Sequence, residues 1–376
     1  MSAPLHTSSV FPTQQETIWA KLETIAPKRY AATRNFLDGA VTMLSPYISR
    51  GFMSTKQIFH YLLDQGWELD GMEKFVQELA WRDYWQQIWV AKGDAINEDL
   101  KHPQKDVAHW QMPKAVAEGS TGIIAIDQAV KDFYKTGYIH NHMRMYIAAL
   151  TCNTGGSHWR LPAQWMYYHL LDGDWASNAL SWQWVAGSNS NKKYIANQEN
   201  INKYCYTQQQ GSFLDISYEA LAQLETPAVL KETIDLPLTT PLPVSSDLVI
   251  NPLLDSCIYT SYNLDPLWRN DKAYNRILLL EPSHFEKYPI GQKPLDFIMA
   301  LSQNIPDIQV YVGEFDTLKG AYDLNQLYYK EHPTNQHFQG IQEERDWMFS
   351  VRGYFPSFFS YWKKCKKEFK KQKYGA

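Results

Sequence analysis

The sequence predicts a multidomain protein in which an all-α domain over residues 1–210 is followed by a small α/β domain over residues 251–376. Through most of the first stretch, apolar residues recur at helical spacing. Between the two lies a linker at residues 211–250, because the Pro-rich run LPLTTPLPVSS at 236–246 favours extended backbone. Short apolar runs after this linker have the length of buried strands. At 376 residues the chain is long enough to form more than one core.

Helix signals are clearest in the first half. Ser54 and Gln57 form a capping box ahead of an apolar stripe that ends at Gly66. Helical periodicity predicts further helices near residues 72–91, 123–134 and 162–171. In the second half, apolar runs at 276–281 and 308–313 flank a helical pattern at 294–301, which predicts a strand–helix–strand unit with parallel strands.

Charge and composition limit the possible partners. The net charge of −4 argues against binding nucleic acid through the overall field, so any DNA affinity must come from a local basic surface. Seven lysines in the tail could provide such a surface, although charge runs are commonly just solvated. These tail lysines are Lys363, Lys364, Lys366, Lys367, Lys370, Lys371 and Lys373.

The four cysteines are scattered, without a C-x-x-C pair, so we expect no metal site and a reduced, cytoplasmic setting. No apolar run approaches the length of a membrane span. We therefore expect a monomer with no membrane partner. Neither G-x-G-x-x-G nor a P-loop occurs, so a dinucleotide would not be held by either turn.

Unusual polar and aromatic side chains concentrate in residues 136–184. Residues four apart, such as Asn141 and Met145, lie on one face of a helix. Asp172 and Asp174 are separated by one glycine, and Asn178 follows four residues later. This spacing favours polar groups that converge on a planar, polar ligand, but a helical core with incidental polar residues fits it equally well.

Several motifs in this order resemble the photolyase/cryptochrome family. They are TGYIHNHMRM, HWR and LDGDWASNALSWQW, preceded by TMLSPY with Gly51 and by ELAWRDY from Glu78 to Tyr84. The resemblance covers roughly the first two hundred residues, and it points most to the cyclobutane-dimer photolyases. It implies an all-helical FAD-binding domain that lacks the family's usual N-terminal antenna domain. The C-terminal α/β segment is then either a shortened antenna domain moved to the other end of the chain or an unrelated appendage.

The resemblance implies a set of cofactor contacts and leaves any antenna chromophore unknown. Asp172 matches a carboxylate that pairs with Arg144, Asp174 matches one that accepts from a flavin ring N–H, and Asn178 matches the residue facing flavin N5. Met43 stands where the family has a small hydroxyl residue. The full set of residues implied to bind FAD is Tyr30, Thr42, Leu44, Ser45, Arg82, Arg144, Asp172, Asp174 and Asn178.

The resemblance also implies a reaction, that of a deoxyribodipyrimidine photo-lyase. In this family, light drives electron transfer from reduced FAD into a cyclobutane pyrimidine dimer flipped out of DNA. Matching lesion-pocket residues are Glu78, Trp81, Asn141, Met145 and Trp184, and His142 stands where the family has an Arg that contacts DNA. Trp182 and Trp159 match electron-transfer residues. For the distal position Trp89 and Trp110 are candidates, and each could equally be a packing residue.

Two other functions remain open at this stage. A cryptochrome-like blue-light photoreceptor would use the same flavin domain for signalling. The retained lesion-pocket residues favour repair, whereas His142 and the altered segment NKKYIANQENINKY after Trp184 favour signalling. A flavin-free helical scaffold is disfavoured by the intact acid pair and Asn178. Preference for single- or double-stranded DNA is also open.

Overall fold

The computed structural model describes residues 10–374, with side chains up to residue 370. The helices up to the linker are α1 (Gln15–Ala20), α2 (Pro27–Thr33), α3 (Ser45–Ser49), α4 (Thr55–Asp64), α5 (Leu69–Lys92), α6 (Lys114–Glu118), α7 (Ile124–Thr136), α8 (Asn141–Ala149), α9 (Arg160–His169), α10 (Trp175–Ala186), α11 (Gln198–Cys205) and α12 (Tyr218–Leu221). Those that follow are α13 (Pro282–Lys287), α14 (Gln292–Ser302), α15 (Phe315–Ala321) and α16 (Phe358–Tyr374). The strands are β1 (Met112–Pro113), β2 (Thr233–Ile234), β3 (Ser256–Tyr259), β4 (Asn275–Leu280), β5 (Ile308–Val312), β6 (Leu327–Lys330) and β7 (Ile341–Glu343).

The helical part is organised around α5, which packs against α2, α10 and α16. The predicted capping box starts α4: Ser54 Oγ accepts from the Gln57 N–H at 3.0 Å, and Gln57 Oε1 accepts from the Ser54 N–H at 2.7 Å. Asp174 caps α10 by accepting from the Ser177 N–H at 2.7 Å. The helices predicted from periodicity all form, with ends that differ by a few residues.

A five-stranded parallel sheet follows, in the order β5-β4-β3-β6-β7. The predicted strand–helix–strand unit is confirmed as β4, α13, α14 and β5. The chain winds outward from β3 in one direction to β5 and then returns to continue through β6 on the other side. Consequently the order reverses between β3 and β6, and such a reversal opens a crevice at the carboxyl ends of the strands.

The linker leaves the helical part through the short β1–β2 pair, in which Met112 lies opposite Ile234. Residues 235–255 form neither helix nor strand, in keeping with the Pro-rich composition. Side chains nevertheless tie this stretch down, since Tyr168 Oη donates to Thr239 O at 3.0 Å and Ile290 N donates to Thr240 Oγ1 at 2.8 Å.

The sheet and the C-terminal segment dock directly on the helical part. The Leu264 N–H donates to Arg50 O at 2.9 Å, and the Met348 N–H donates to the buried carboxylate of Asp83 at 2.9 Å. Gly51 sits at the closest approach: its φ is +61°, and a Cβ there would lie 2.2 Å from Tyr262 O. A side chain at position 51 would therefore force the two parts of the chain apart.

None of the helices within residues 10–374 combines the length and apolarity needed to cross a bilayer.

Candidate active site

Two guanidinium groups share one carboxylate near the centre of the helical part. Arg144 Nη2, on α8, donates to both oxygens of Asp172 at 2.9 and 2.8 Å, and Arg82 Nη2, on α5, lies 4.0 Å from Asp172 Oδ2. Arg82 also donates to Ser49 Oγ at 2.6 Å. Burial opposes ionisation of Asp172, but the charges of Arg144 and Arg82 outweigh it and lower the pKa of the carboxyl group. The cluster therefore holds one positive charge more than Asp172 can balance.

Aromatic hydroxyls border this cluster. The Arg144 guanidinium lies 5.7 Å from the ring centroid of Tyr138, and burial raises the pKa of Tyr138 to about 12 against the opposing charges of Arg144 and Arg82. Burial likewise raises the pKa of Tyr30, whose hydroxyl also feels Glu78 and Arg82. Tyr30 is thus placed beside the cluster as the resemblance implied, and Tyr138 is a further member that sequence reasoning missed.

The segment that enters α3 supplies the remaining predicted hydroxyls. Ser45 hydrogen-bonds Asp172 and helps to lower the pKa of its carboxyl group, whereas Thr42 is half-buried and Leu44 is buried in the core. Met43, the departure from the family pattern, is half-buried with a φ of 56°, an uncommon conformation for a residue other than Gly. The backbone therefore turns sharply at this position.

Asp174 is joined to the C-terminal part of the chain through Gln86. Gln86 Nε2 donates to Asp174 Oδ2 in a short hydrogen bond, and Gln86 Oε1 accepts from Arg345 Nη1 at 2.6 Å. An ionised carboxylate has about four acceptor positions, so Asp174 can still accept from a ligand. The sequence does hold a signal for Gln86, which follows Arg82 by four residues on α5. It holds none for Arg345, which lies 259 residues further along the chain.

Asn178 has one end of its side chain committed to the protein. Its Nδ2 donates to Ala163 O at 2.7 Å, and the residue is 8% exposed. This bond fixes the orientation of the amide and makes Oδ1 the end that can accept a hydrogen bond from a ligand.

Three tryptophans lie between the core and the surface. Trp182 and Trp159 are buried, and Trp159 Nε1 donates to Asp99 Oδ1 at 2.8 Å. Trp110 is 58% exposed and stacks on His158 at 3.7 Å between ring centroids, with the His158 ring 5.6 Å from that of Trp159. Trp89, the other candidate for the distal position, is buried against Tyr288 and His332. Of the two candidates, Trp110 is the one that reaches the surface beside Trp159.

The predicted lesion-pocket residues are not drawn together by any contact within the described part of the chain. Trp81 stacks on Phe358, and Trp184 is 39% exposed with its ring 6.1 Å from that of Tyr194. Asn141 is exposed at the start of α8, and Met145 is half-buried on the same helix. Glu78 forms ion pairs with Lys74 at 2.9 Å and Arg34 at 3.5 Å.

His142 differs from its expected place, which was a position in contact with DNA. It is 8% exposed, its Nδ1 bonds Asn35 O at 2.8 Å, and its ring stacks on Tyr146 at 4.5 Å. Burial lowers the pKa of the imidazole, which favours its neutral form. The expectation of a DNA contact at His142 is therefore wrong, because packing holds the ring inside the protein.

Comparison with known proteins places this arrangement in a family. Residues 75–237 match the family model described as the FAD binding domain of DNA photolyase. The deoxyribodipyrimidine photo-lyase of Alkalihalophilus pseudofirmus is 28% identical over 179 residues, which are 44% of this chain and 36% of that protein. The corresponding enzyme of Streptomyces griseus is 34% identical over 158 residues, 41% of this chain and 34% of that protein. Among solved structures, the cryptochrome of Synechocystis sp. PCC6803 superposes with a TM-score of 0.47 at 24% identity, over 52% of this chain and 44% of that chain.

The chain thus matches about a third of the length of these curated relatives. Its relationship to the photolyase/cryptochrome family, which the motifs indicated, is confirmed, and the matched FAD-binding domain carries Arg82, Arg144, Asp172, Asp174 and Asn178.

Proposed function

We propose that the helical part binds FAD and that the chain is a light-driven DNA-repair enzyme. The observation that carries the first half is the cluster in which Arg82 and Arg144 share Asp172, because its unbalanced positive charge suits a diphosphate. The fixed amide of Asn178 and the spare acceptor capacity of Asp174 suit the N–H groups of a reduced flavin ring. The residues present therefore fit the cofactor.

Bound FAD would supply a light-absorbing redox group. The chain's own contribution is to hold that group and to connect it with solvent. Trp182 and Trp159 are buried, Trp110 is exposed, and His158 lies between the last two rings. This order of aromatic side chains offers a path for an electron from the surface towards the core.

For the substrate we propose DNA that contains a cyclobutane pyrimidine dimer. The names of the curated relatives support a pyrimidine-dimer substrate. In this chain Trp81 and Trp184 are the aromatic surfaces on which extruded bases could stack, Glu78 and Asn141 supply polar contacts, and Met145 supplies an apolar one.

A basic surface lies close to Trp81, since α16 packs directly on α5. Exposed lysines on α16 provide local charge for DNA phosphates in a chain whose net charge is negative. These exposed lysines are Lys363, Lys364, Lys367 and Lys370. Lys366 is paired with Glu73 at 2.8 Å, and the side chains of Lys371 and Lys373 lie outside the described part.

A photoreceptor without repair activity is the second candidate, and one observation favours it. Phe358 covers a face of the Trp81 ring, so that face is closed to a base unless the segment around Phe358 moves. A signalling protein needs no access to Trp81, whereas a repair enzyme does.

The test uses full-length purified protein. Denaturation should release FAD, and blue light should restore thymines in a dimer-containing oligonucleotide, assayed as single and double strands. Trp81→Ala should abolish repair without reducing FAD content, while Trp67→Ala, at another half-buried tryptophan, should not affect repair. Bound FAD without repair in either format would leave the photoreceptor. Failure to bind FAD, even on reconstitution, would contradict both candidates.

A further inference from the structure

A polar pocket of about 110 Å³ lies between the helical part and the parallel sheet. Its sheet side is formed by residues that follow β3, such as Asn263, and by residues that follow β6, such as His332. These two strands flank the point where the strand order reverses, the usual ligand crevice of an open parallel sheet. Gln86 and Asp174 line the opposite side.

Five buried polar atoms at this pocket have no hydrogen-bond partner among the described residues. They are both ends of the Asn263 amide, Nε2 of His332, and Nε and Nη2 of Arg345. Asn263 is 6% exposed and His332 is 8% exposed. Buried polar groups are nearly always satisfied, so five unpaired atoms from three side chains around one cavity indicate a ligand.

The protonation of His332 can be read from its neighbours. Its Nδ1 accepts from the Thr334 N–H at 3.3 Å, and burial, together with the charge of Arg345, lowers its pKa well below the usual value. The neutral ring therefore carries its proton on Nε2, which acts as a donor. The unpaired atoms thus comprise four donor atoms and one acceptor, Asn263 Oδ1.

Charge around the pocket disfavours an anion. Lys330 already pairs with Asp265 at 3.0 Å and Asp346 at 3.6 Å, and Arg345 lies 3.8 Å from Glu331. Further carboxylates, Asp83 and Asp174, also line the cavity. Five carboxylates against the three cations of Arg82, Lys330 and Arg345 leave no positive charge for a phosphate.

We propose that this pocket binds an uncharged, bicyclic heterocycle with a cyclic-amide edge, of the oxopurine type. The Asn263 amide can pair with a ring N–H and its neighbouring carbonyl, and the free N–H groups of Arg345 can reach two adjacent acceptors, as they do on a guanine edge. Tyr262 and Trp347 supply aromatic surface at the wall. The cavity would hold roughly seven to ten waters, which matches the ten or so heavy atoms of such a ring system.

The proposal is tested by calorimetry on the full chain with the flavin that it carries after purification. Hypoxanthine should bind with a Kd of about 1 mM or tighter. Purine, which lacks the amide edge, should bind about tenfold more weakly or worse. Nicotinate and inorganic phosphate, as anionic probes, should not bind. These comparisons use wild-type protein and need no variant to fold.

A matched pair of variants then assigns the contact. Asn263→Asp removes the amide donor and should weaken hypoxanthine binding by about tenfold. Asn270→Asp makes the same change at an exposed site nearby and should leave binding unchanged. Absence of hypoxanthine binding would mean a pocket for water only. Preference for an anion, equal binding of purine, or displacement of hypoxanthine by riboflavin would also overturn the proposal, the last because the pocket would then belong to the flavin site.

Discussion

Phe358 stacks on Trp81 with their ring centroids 3.9 Å apart and their planes inclined by 10°. Trp81 projects from α5, in the matched FAD-binding domain, and Phe358 begins α16 at the other end of the described chain. Stacking of bases on tryptophan uses the same ring face. Phe358 and an extruded base therefore compete for one surface.

Phe358→Leu should increase affinity for dimer-containing single-stranded DNA by about tenfold, because stacking of a base on an aromatic ring contributes about 1–3 kcal/mol. Leu keeps apolar volume in the core while removing the ring. Fluorescence anisotropy with labelled oligonucleotides measures the change, and Phe359→Leu, at a ring that is 69% exposed, is the control. Unchanged affinity in Phe358→Leu, with tight binding in wild type, would show that Phe358 does not obstruct the lesion.

Asp172→Asn should lower both FAD content and the free energy of unfolding. The side chain is 2% exposed, and its removal leaves Arg82 and Arg144 facing each other without a counter-charge, at a cost of about 3 kcal/mol. Urea denaturation and the flavin absorbance of purified protein measure the two effects. Asp132→Asn breaks an exposed pair with Lys135 and should cost under about 1 kcal/mol. Equal effects of the two substitutions would remove Asp172 from the cofactor site.

Acidification should destabilise the protein through His140. Burial, with smaller contributions from His142 and Arg144, lowers the pKa of this buried imidazole from 6.5 to about 4. The unfolded chain therefore takes up the proton first, and the stability that His140 contributes, fully present above pH 6.5, is lost as the pH falls from 6.5 to 4. The loss amounts to at most about 3 kcal/mol.

His140→Asn isolates this effect. His140 Nδ1 caps α8 by accepting from the His142 N–H at 3.2 Å, and Asn can also cap while not titrating in this range. Urea unfolding between pH 7 and pH 4.5 should show a shallower decline in the variant, and His60→Asn, on an exposed side chain, should behave as wild type. Identical pH profiles for wild type and His140→Asn would rule out this explanation.

Trp110→Phe should slow photoreduction of bound flavin by at least about tenfold while leaving flavin content unchanged, because Phe is far harder to oxidise than an indole and the ring is 58% exposed. Trp182→Phe should have the same effect. Trp89→Phe is the control, since its ring packs against Tyr288 and His332 and away from this path. Absorbance under blue light with a reductant measures the rate. A slow Trp89→Phe with a normal Trp110→Phe would reverse the assignment.

The helical part could be predicted well because its information is local. The Ser54 capping box, the periodicity of α5 and the pairing of Arg144 with Asp172 all follow from short spacings or from motifs. In the sheet, β4 was recognisable as an apolar run. In contrast β6 reads LYYK, and β7 reads IQE, so neither carries an apolar pattern that identifies a strand.

The remaining features depend on contacts between distant parts of the chain. Arg345 reaches Gln86 across 259 residues, and no local pattern marks that contact. His142 could be aligned with a DNA-contacting residue, but only the packing of Tyr146 and Tyr204 around it shows that the ring is buried. Position in a motif gives the identity of a residue, whereas burial depends on what the rest of the chain places next to it.

The end of the chain completes the core of its beginning, and this affects synthesis. Phe349 and Phe369 pack on Phe59 at 5.3 and 5.7 Å, and Met348 satisfies Asp83 from 265 residues away. At about 5–20 residues per second, a ribosome needs roughly 15–50 s to add that length. For this interval the nascent chain presents Phe59 and Trp81 without their covering rings, as a surface on which chaperones can act.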